Sequence, residues 1–233
     1  MTDALKPVQE MIEKRRALFQ GESSAYGDAR RALLAEEIEL RRHATRVVEQ
    51  RRALPPGPVI DKSYVFEDAN GKRLRLVDLF GKHHTLVTYF WMFGPQREQP
   101  CPMCTNWLGS VDGNAADIEQ RAALRILGRS PVSRQLDFAR SRGWNNLQFI
   151  QTIGDDYADD LNLLDEKGNE SPALAVFRRE GDEVRLYWAS EINKHMADPN
   201  QDPRDYPDIA SLWAILDLTP EGRGKDWYQK LSY

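Results

Sequence analysis

Cysteine is almost missing from this chain. Two occur in 233 residues, both within Gln99-Pro-Cys-Pro-Met-Cys-Thr-Asn-Trp107. So small a number excludes a disulfide framework, and a chain of this length can build a core without one. Histidine is also scarce, at four residues. A structural zinc site as a rule needs four ligands, and the adjacent His83-His84 is a poor complement to two cysteines because ligands usually sit further apart. Long apolar runs are lacking too. The longest, around Leu86 to Phe93, falls far short of the roughly 20 residues that span a bilayer. The amino end, MTDALKPVQEMIEKRR, has no continuous apolar segment of the kind a secretory signal carries. These absences set an expectation of cytoplasmic location and no membrane partner. Nor is there much charge of one sign: the net charge is −4 and the basic pairs are interleaved with acids, which argues against nucleic acid as a partner.

What is present is the cysteine pair, three positions apart. In a reducing compartment thiols stay free, and disulfides that form there are mostly catalytic or redox-sensing. A structural staple is a weak explanation, since closing so short a loop restrains the unfolded chain by only about 2 kcal/mol, against about 4.7 for a loop of 100 residues. Chemistry is the better reason for the pair.

Residues 1–58 lack strand-like alternation and read as a helical extension. Leu34, Ile38, Ala44 and Val48 lie near one stripe between Asp28 and Ala53, and Glu37 to Arg41 is a favourable four-residue pair. Such a helix can pack on the main domain, or pair with a second copy to make a homo-oligomer. Leu54-Pro-Pro-Gly-Pro58 ends it. Residues 59–220 read as the main domain and 221–233 as a tail. Tyr64–Glu67 and Leu74–Val77 flank Asn70-Gly71, a hairpin signal. Thr85-Leu-Val-Thr-Tyr-Phe-Trp-Met92 does not alternate, as expected of a central strand covered on both faces. Beyond the cysteines, Leu108, Val111, Ala115 and Ile118 keep helical spacing. A strand at Leu124–Gly128, a helix at Ser133–Arg142 capped by Ser133 and stopped by Gly143, and a strand at Leu147–Thr152 follow. Strands at Leu174–Arg178 and Val184–Ala189 flank Glu180-Gly-Asp182, and Pro207–Leu216 closes as a helix. The acidic Asp155-Asp156 and Asp159-Asp160 lack the alternating ligands and glycine of a calcium loop, and read as a solvated face or a helix start.

Proline is tolerated at the first helical position, so Cys-Pro-Met-Cys places Cys101 at the cap, Pro102 inside the helix and Cys104 one turn on. Residues three apart share a helix face. Unpaired N–H groups and the positive end of the helix dipole favour thiolate at Cys101, below the free pKa of about 8.5. Cys101 is therefore the expected nucleophile and Cys104 the resolving thiol, passing through a mixed disulfide.

This order of elements resembles the thioredoxin-like superfamily, in which a central strand leads to a CysXXCys at a helix start. More closely, the chain is similar to a bacterial family of uncharacterised proteins described as predicted dithiol-disulfide oxidoreductases. The match is carried by KSYVFEDANGK, VDLFGKHHTLVTYFWMFGP, CPMCTNWLGSVDG and LDLTPEGR, which with their intervals cover most of residues 30–224. The resemblance implies an α/β fold: a thioredoxin-like central mixed sheet with flanking helices, preceded by the N-terminal helical extension. It also implies a cis-proline at Pro172 opposite the cysteines, with backbone groups of Ser171 pairing with an extended substrate segment. Trp91 and Trp107 flank the pair; packing is the plain reading of both, and Trp107 is a candidate substrate-facing surface. Typical thioredoxins carry tryptophan before the first cysteine and glycine-proline between the two, whereas Pro100 and Pro102-Met103 stand here. Glutaredoxins share Cys-Pro-X-Cys, but a basic glutathione-binding set is missing, and the peroxiredoxin loop has a threonine that Pro95-Gln-Arg-Glu-Gln-Pro-Cys101 lacks. No acid-base carboxylate is evident: Glu98 and Asp112 are nearest in sequence and read as exposed or structural. The expected activity is thiol-disulfide exchange without a bound cofactor or metal, on a disulfide-containing protein or small thiol substrate, supplied by an unidentified electron donor. The alternatives are a non-catalytic or redox-sensing protein on the same fold, and a thiol peroxidase.

Overall fold

The β-branched and aromatic run forms strand β3 (Thr85–Phe90), and its side chains alternate between two cores. Leu86 and Phe90 point into one apolar cluster, while Tyr89, followed by Trp91, belongs to the other. A strand with apolar residues on both faces must be covered twice, so its neighbours are fixed by burial and not by turn chemistry alone. Each fully buried Leu or Phe side chain contributes about 1.5–3 kcal/mol of burial, and both Leu86 and Phe90 are at that limit.

The computed structural model describes residues 5–17, 20–191, 194–202, 204 and 210–233. The chain divides into two compact units, Met1–Pro55 and Pro56–Tyr233. In the first, α1 (Val8–Ile12) packs on α2 (Ser24–Arg52), whose first turn is capped by the Ser23 hydroxyl accepting the Tyr26 N–H at 3.2 Å. Ile38 is buried, but Ala44 and Val48 are exposed, so the expected stripe is covered over only part of its length. Within this unit α1 has 5 residues and α2 has 29. Glu37 pairs with Arg30 at 3.4 Å, two turns back, and not with Arg41.

The second unit holds, among the described residues, a seven-stranded sheet. Its strands are β1 (Val65–Glu67), β2 (Arg73–Leu74), β3, β4 (Ala123–Gly128), β5 (Phe149–Ile153), β6 (Ala173–Glu180) and β7 (Glu183–Ala189), in the order β2-β1-β5-β4-β3-β6-β7. β3 runs parallel to β4 and antiparallel to β6. β4 is buried at every residue. Helices α3 (Pro102–Asp112) and α4 (Ala115–Ile118) connect β3 to β4, and α5 (Val132–Ser141) connects β4 to β5. Then α6 (Asp156–Asp160) precedes the β6–β7 hairpin, and α7 (Ser211–Leu216) packs on α3. This is the α/β, thioredoxin-like mixed sheet with flanking helices that the sequence implies, with helices preceding it at the amino end.

Three details differ from expectation. The second arm of the first hairpin is short, because Leu76–Phe80 turns into a 3-10 helix held by the Asp78 carboxylate, which accepts the Arg75 N–H at 2.8 Å. Helix α5 begins at Val132 with Pro131 as its cap residue, so Ser133 lies inside the first turn. Of the expected closing helix, Ser211–Leu216 is observed, and residues 207–209 lie outside the described residues. The acidic cluster supplies α6, where Asp160 accepts from Lys62 Nζ at 2.5 Å and from the Tyr64 hydroxyl at 2.6 Å.

Candidate active site

Beyond β3 the chain stays buried through Trp91 and Phe93, then leaves the sheet as a loop from Gly94 to Pro100. Three interactions return it. The Trp91 N–H donates to the Leu127 carbonyl at 2.8 Å, the Arg97 N–H to the Gly94 carbonyl at 3.1 Å, and the Cys101 N–H to the Met92 carbonyl at 3.0 Å. Cys101 is the N-cap residue of α3, Pro102 opens the helix, and the Cys101 carbonyl accepts the Thr105 N–H at 3.0 Å.

Both cysteines are free thiols, Cys101 partly accessible and Cys104 buried at 2% exposure. Their electrostatics are opposed. The Cys101 pKa is lowered to about 6: the Cys104 thiol donates to its sulfur, the backbone N–H groups of Met103 and Cys104 point at it, and the Arg97 charge favours the anion, together outweighing burial. Cys104 is pushed well above the ordinary thiol value by burial and by the neighbouring Cys101, against the pull of the Tyr89 hydroxyl and the Met92 N–H. One sulfur is thus held ionised at a helix start and the other is held protonated beside it. The arrangement supports nucleophilic attack by the first thiol, followed by intramolecular displacement by the second.

The other residues singled out in the sequence fall as follows. Ala173, the first residue of β6, is paired with Phe90, the last of β3, so Ser171 and Pro172 lie just before β6 at the end of the sheet where β3 hands over to the cysteine loop. Ser171 is exposed and Pro172 partly buried. The Ser171 N–H donates to the Leu163 carbonyl at 2.8 Å. Trp107 is partly buried, its ring 4.1 Å from that of Tyr89 and tilted by 32°. Asp112 is structural: its carboxylate accepts the N–H groups of Asn146 at 2.9 Å and Leu147 at 3.2 Å. His83 faces Glu119 at 3.7 Å. Among the described residues, no group of three or more His, Cys, Asp or Glu is placed to hold a metal ion, and no helix is long and apolar enough to cross a membrane.

Sequence reasoning missed the residues that hold the loop. Glu170, with 3% of its side chain exposed, accepts the Gly94 N–H at 2.9 Å and lies 3.5 Å from Arg97 and 3.7 Å from Arg129. Burial raises its pKa, while the Gly94 N–H and the two guanidinium groups pull the other way. Ser130 donates its hydroxyl to the Phe93 carbonyl. Arg134 donates to the carbonyls of Glu98, at 2.8 Å, and Arg97, and stacks over the Phe93 ring at 4.3 Å. No local pattern marks a lone Glu170 or Arg134. Their partners lie 76 and about 36 residues away.

A family model described as "Bacterial protein of unknown function (DUF899)" matches residues 17–233. The chain belongs to that family. No curated protein matches it. Among solved structures, it is similar to the mitochondrial 2-cys peroxiredoxin from Plasmodium falciparum, at 15% identity over 58% of this chain and 79% of that one, with a TM-score of 0.41. The pneumococcal exposed lipoprotein thioredoxin from Streptococcus pneumoniae strain TIGR4 matches at 16% identity over 67% of this chain and 100% of that one, with a TM-score of 0.40. A hypothetical protein from Sinorhizobium meliloti 1021 matches at 14% identity over 70% and 82%, with a TM-score of 0.42.

Proposed function

We propose that this protein is a thiol-disulfide oxidoreductase whose nucleophile is Cys101 and whose resolving thiol is Cys104. The observation that carries the reading is the opposed state of two sulfurs one helical turn apart: Cys101, reachable and with its pKa lowered to about 6, beside a buried Cys104 raised well above the ordinary value. With its pKa near 6, about nine-tenths of Cys101 is thiolate at neutral pH. A thiol whose pKa lies near ambient pH is close to the optimum for attack, because further acidity costs nucleophilicity.

The reaction runs as two displacements. The Cys101 thiolate attacks one sulfur of a substrate disulfide, the substrate S–S bond breaks, and the departing thiolate takes a proton from solvent. Cys104 then gives up its proton and attacks the Cys101 sulfur, releasing the second substrate thiol and leaving a Cys101–Cys104 disulfide. Two electrons have passed to the substrate. A thiol or dithiol reductant restores the pair by the same exchange in reverse order. The same chemistry run backwards oxidises a dithiol, and a stabilised Cys101 thiolate favours that direction by stabilising the reduced protein.

Disulfides in proteins are the substrate class. Ser171, Pro172 and Trp107 are the residues assigned to an extended substrate segment, whose backbone would pair with the Ser171 carbonyl just before β6, the Ser171 N–H being already engaged. Turnover with a protein disulfide and a dithiol reductant tests the reading. Wild type should turn over, Cys101→Ser should lose activity entirely, and Cys104→Ser should accumulate a covalent adduct on Cys101 that reductant releases. A reduced wild-type protein that leaves every disulfide intact would contradict the assignment.

A further inference from the structure

Glu170 sits between the two chain segments that make the site. It immediately precedes Ser171-Pro172, and its carboxylate reaches across to the loop before the cysteines, accepting the Gly94 N–H at 2.9 Å with Oε2. The same oxygen is 3.5 Å from Arg97 Nε. Oε1 has Arg129 Nη1 at 3.7 Å, while Arg129 Nε is engaged by Asp155 at 2.9 Å. Arg97 has 34% of its side chain exposed and lies four residues before Cys101, in a loop whose carbonyls are held by Arg134. Left to itself, a long side chain on a loop samples many rotamers, and its charge would act on Cys101 only part of the time. The Arg97 charge does act on the Cys101 sulfur, favouring its ionised form.

We infer that Glu170 is a positioning residue for the nucleophile: it holds the Arg97 guanidinium at the cysteine loop, and it keeps that loop in register with the Ser171-Pro172 segment through the Gly94 N–H. The role deepens the proposed oxidoreductase reading, since it concerns the same site. A carboxylate on its own would oppose a neighbouring thiolate by like charge. Glu170 favours the Cys101 thiolate only by acting through Arg97, and that gives the inference a sign.

The test is the ionisation of Cys101, followed by thiolate absorbance and by iodoacetamide labelling read at Cys101 by mass spectrometry across pH. No disulfide substrate is involved, so the outcome is independent of whether turnover occurs. Glu170→Gln keeps an oxygen to accept the Gly94 N–H and removes the charge that fixes Arg97. Its Cys101 midpoint should rise, by at most about one pH unit, the low end of what a nearby opposite charge is worth, because the Arg97 charge is the smallest of the influences that favour the thiolate. Arg97→Met should raise it by a similar amount, and the double variant should rise no further than the larger single one. Should Glu170→Gln not fold, Glu170→Asp keeps the charge but is one methylene too short to serve Gly94 and Arg97 together, and should shift the midpoint the same way. A midpoint that stays put or falls in the Glu170 variant would overturn the inference, as would a Glu170 effect that persists in full when Arg97 is already methionine. Shifted midpoints in a protein without disulfide turnover would support Glu170's role while refuting the oxidoreductase reading.

Discussion

Two chemically identical side chains, Cys101 and Cys104, are made different by where the helix begins. Cys101 receives N–H groups and a guanidinium field, and Cys104 is sealed behind it among Leu108, Trp91 and Tyr89. The difference has a consequence for stability. Between pH 6 and the ordinary thiol value of about 8.5, the unfolded chain holds a proton on Cys101 that the folded chain has lost, so folding stability rises with pH across that window. Above about 8.5 the sign reverses, because the unfolded chain loses the Cys104 proton that the folded chain retains. The urea midpoint of the reduced protein relative to Cys101→Ser should therefore widen from pH 6 to 8.5, and a constant difference would count against the assignment. Tyr89 makes a second residue-scale prediction. Its hydroxyl stabilises the Cys104 anion, the form that the proposed resolution of a mixed disulfide requires. Tyr89→Phe keeps the ring against Trp107 and removes a hydrogen bond to a charged sulfur, worth about 1.5–3 kcal/mol. Resolution should slow about tenfold or more, with the mixed disulfide accumulating in quenched reactions while the first attack keeps its rate. The cysteine pair itself was legible, since its spacing and Pro102 are local signals. Glu170 and Tyr89 were not, because their meaning arises only when the sheet brings distant residues to one end.

At the scale of elements, the loop from Gly94 to Pro100 lacks regular structure yet is tied at almost every turn. Glu170, Ser130 and Arg134 hold it from three separate segments of the chain. Gly94 is required there for space: a Cβ would lie 2.1 Å from Glu170 Oε1 and 2.7 Å from its carboxyl carbon. That carboxylate is buried, and its other oxygen already accepts the Gly94 N–H at 2.9 Å, so any shift that makes room for a methyl group acts on this contact. Gly94→Ala should displace it and break the Gly94 N–H contact, lowering stability by about 1.5–3 kcal/mol, the range for a hydrogen bond to a charged group. A urea titration checks this, and an unchanged midpoint would show that the loop can yield. The sequence announced the strand before the loop and the helix after it, through β-branched residues and Pro102. It placed the start of α5 one residue late by taking Ser133 as the cap, whereas Pro131 is the cap residue, with no side-chain cap, and Ser133 lies inside the first turn.

Across the whole molecule, the sheet does two jobs with the same residues. Its buried strands β3 and β4 carry the core, and the ends of β3 and β6 place the cysteine loop beside Ser171-Pro172. The fold was readable because a doubly covered strand, a hairpin and a helix following CysXXCys are each local signals, consistent with one another. The extent to which α2 is covered was not readable, since periodicity reports which face is apolar and not how much of it is met by a partner. The central claim is the unequal ionisation of the two thiols, and site-resolved alkylation tests it most directly: reduced protein is pulsed with iodoacetamide at a series of pH values and each cysteine is quantified by mass spectrometry. Cys101 should label first, with a midpoint near pH 6, and Cys104 should remain unlabelled through neutral pH. Equal labelling of the two, or a Cys101 midpoint at the ordinary value of about 8.5, would contradict the account.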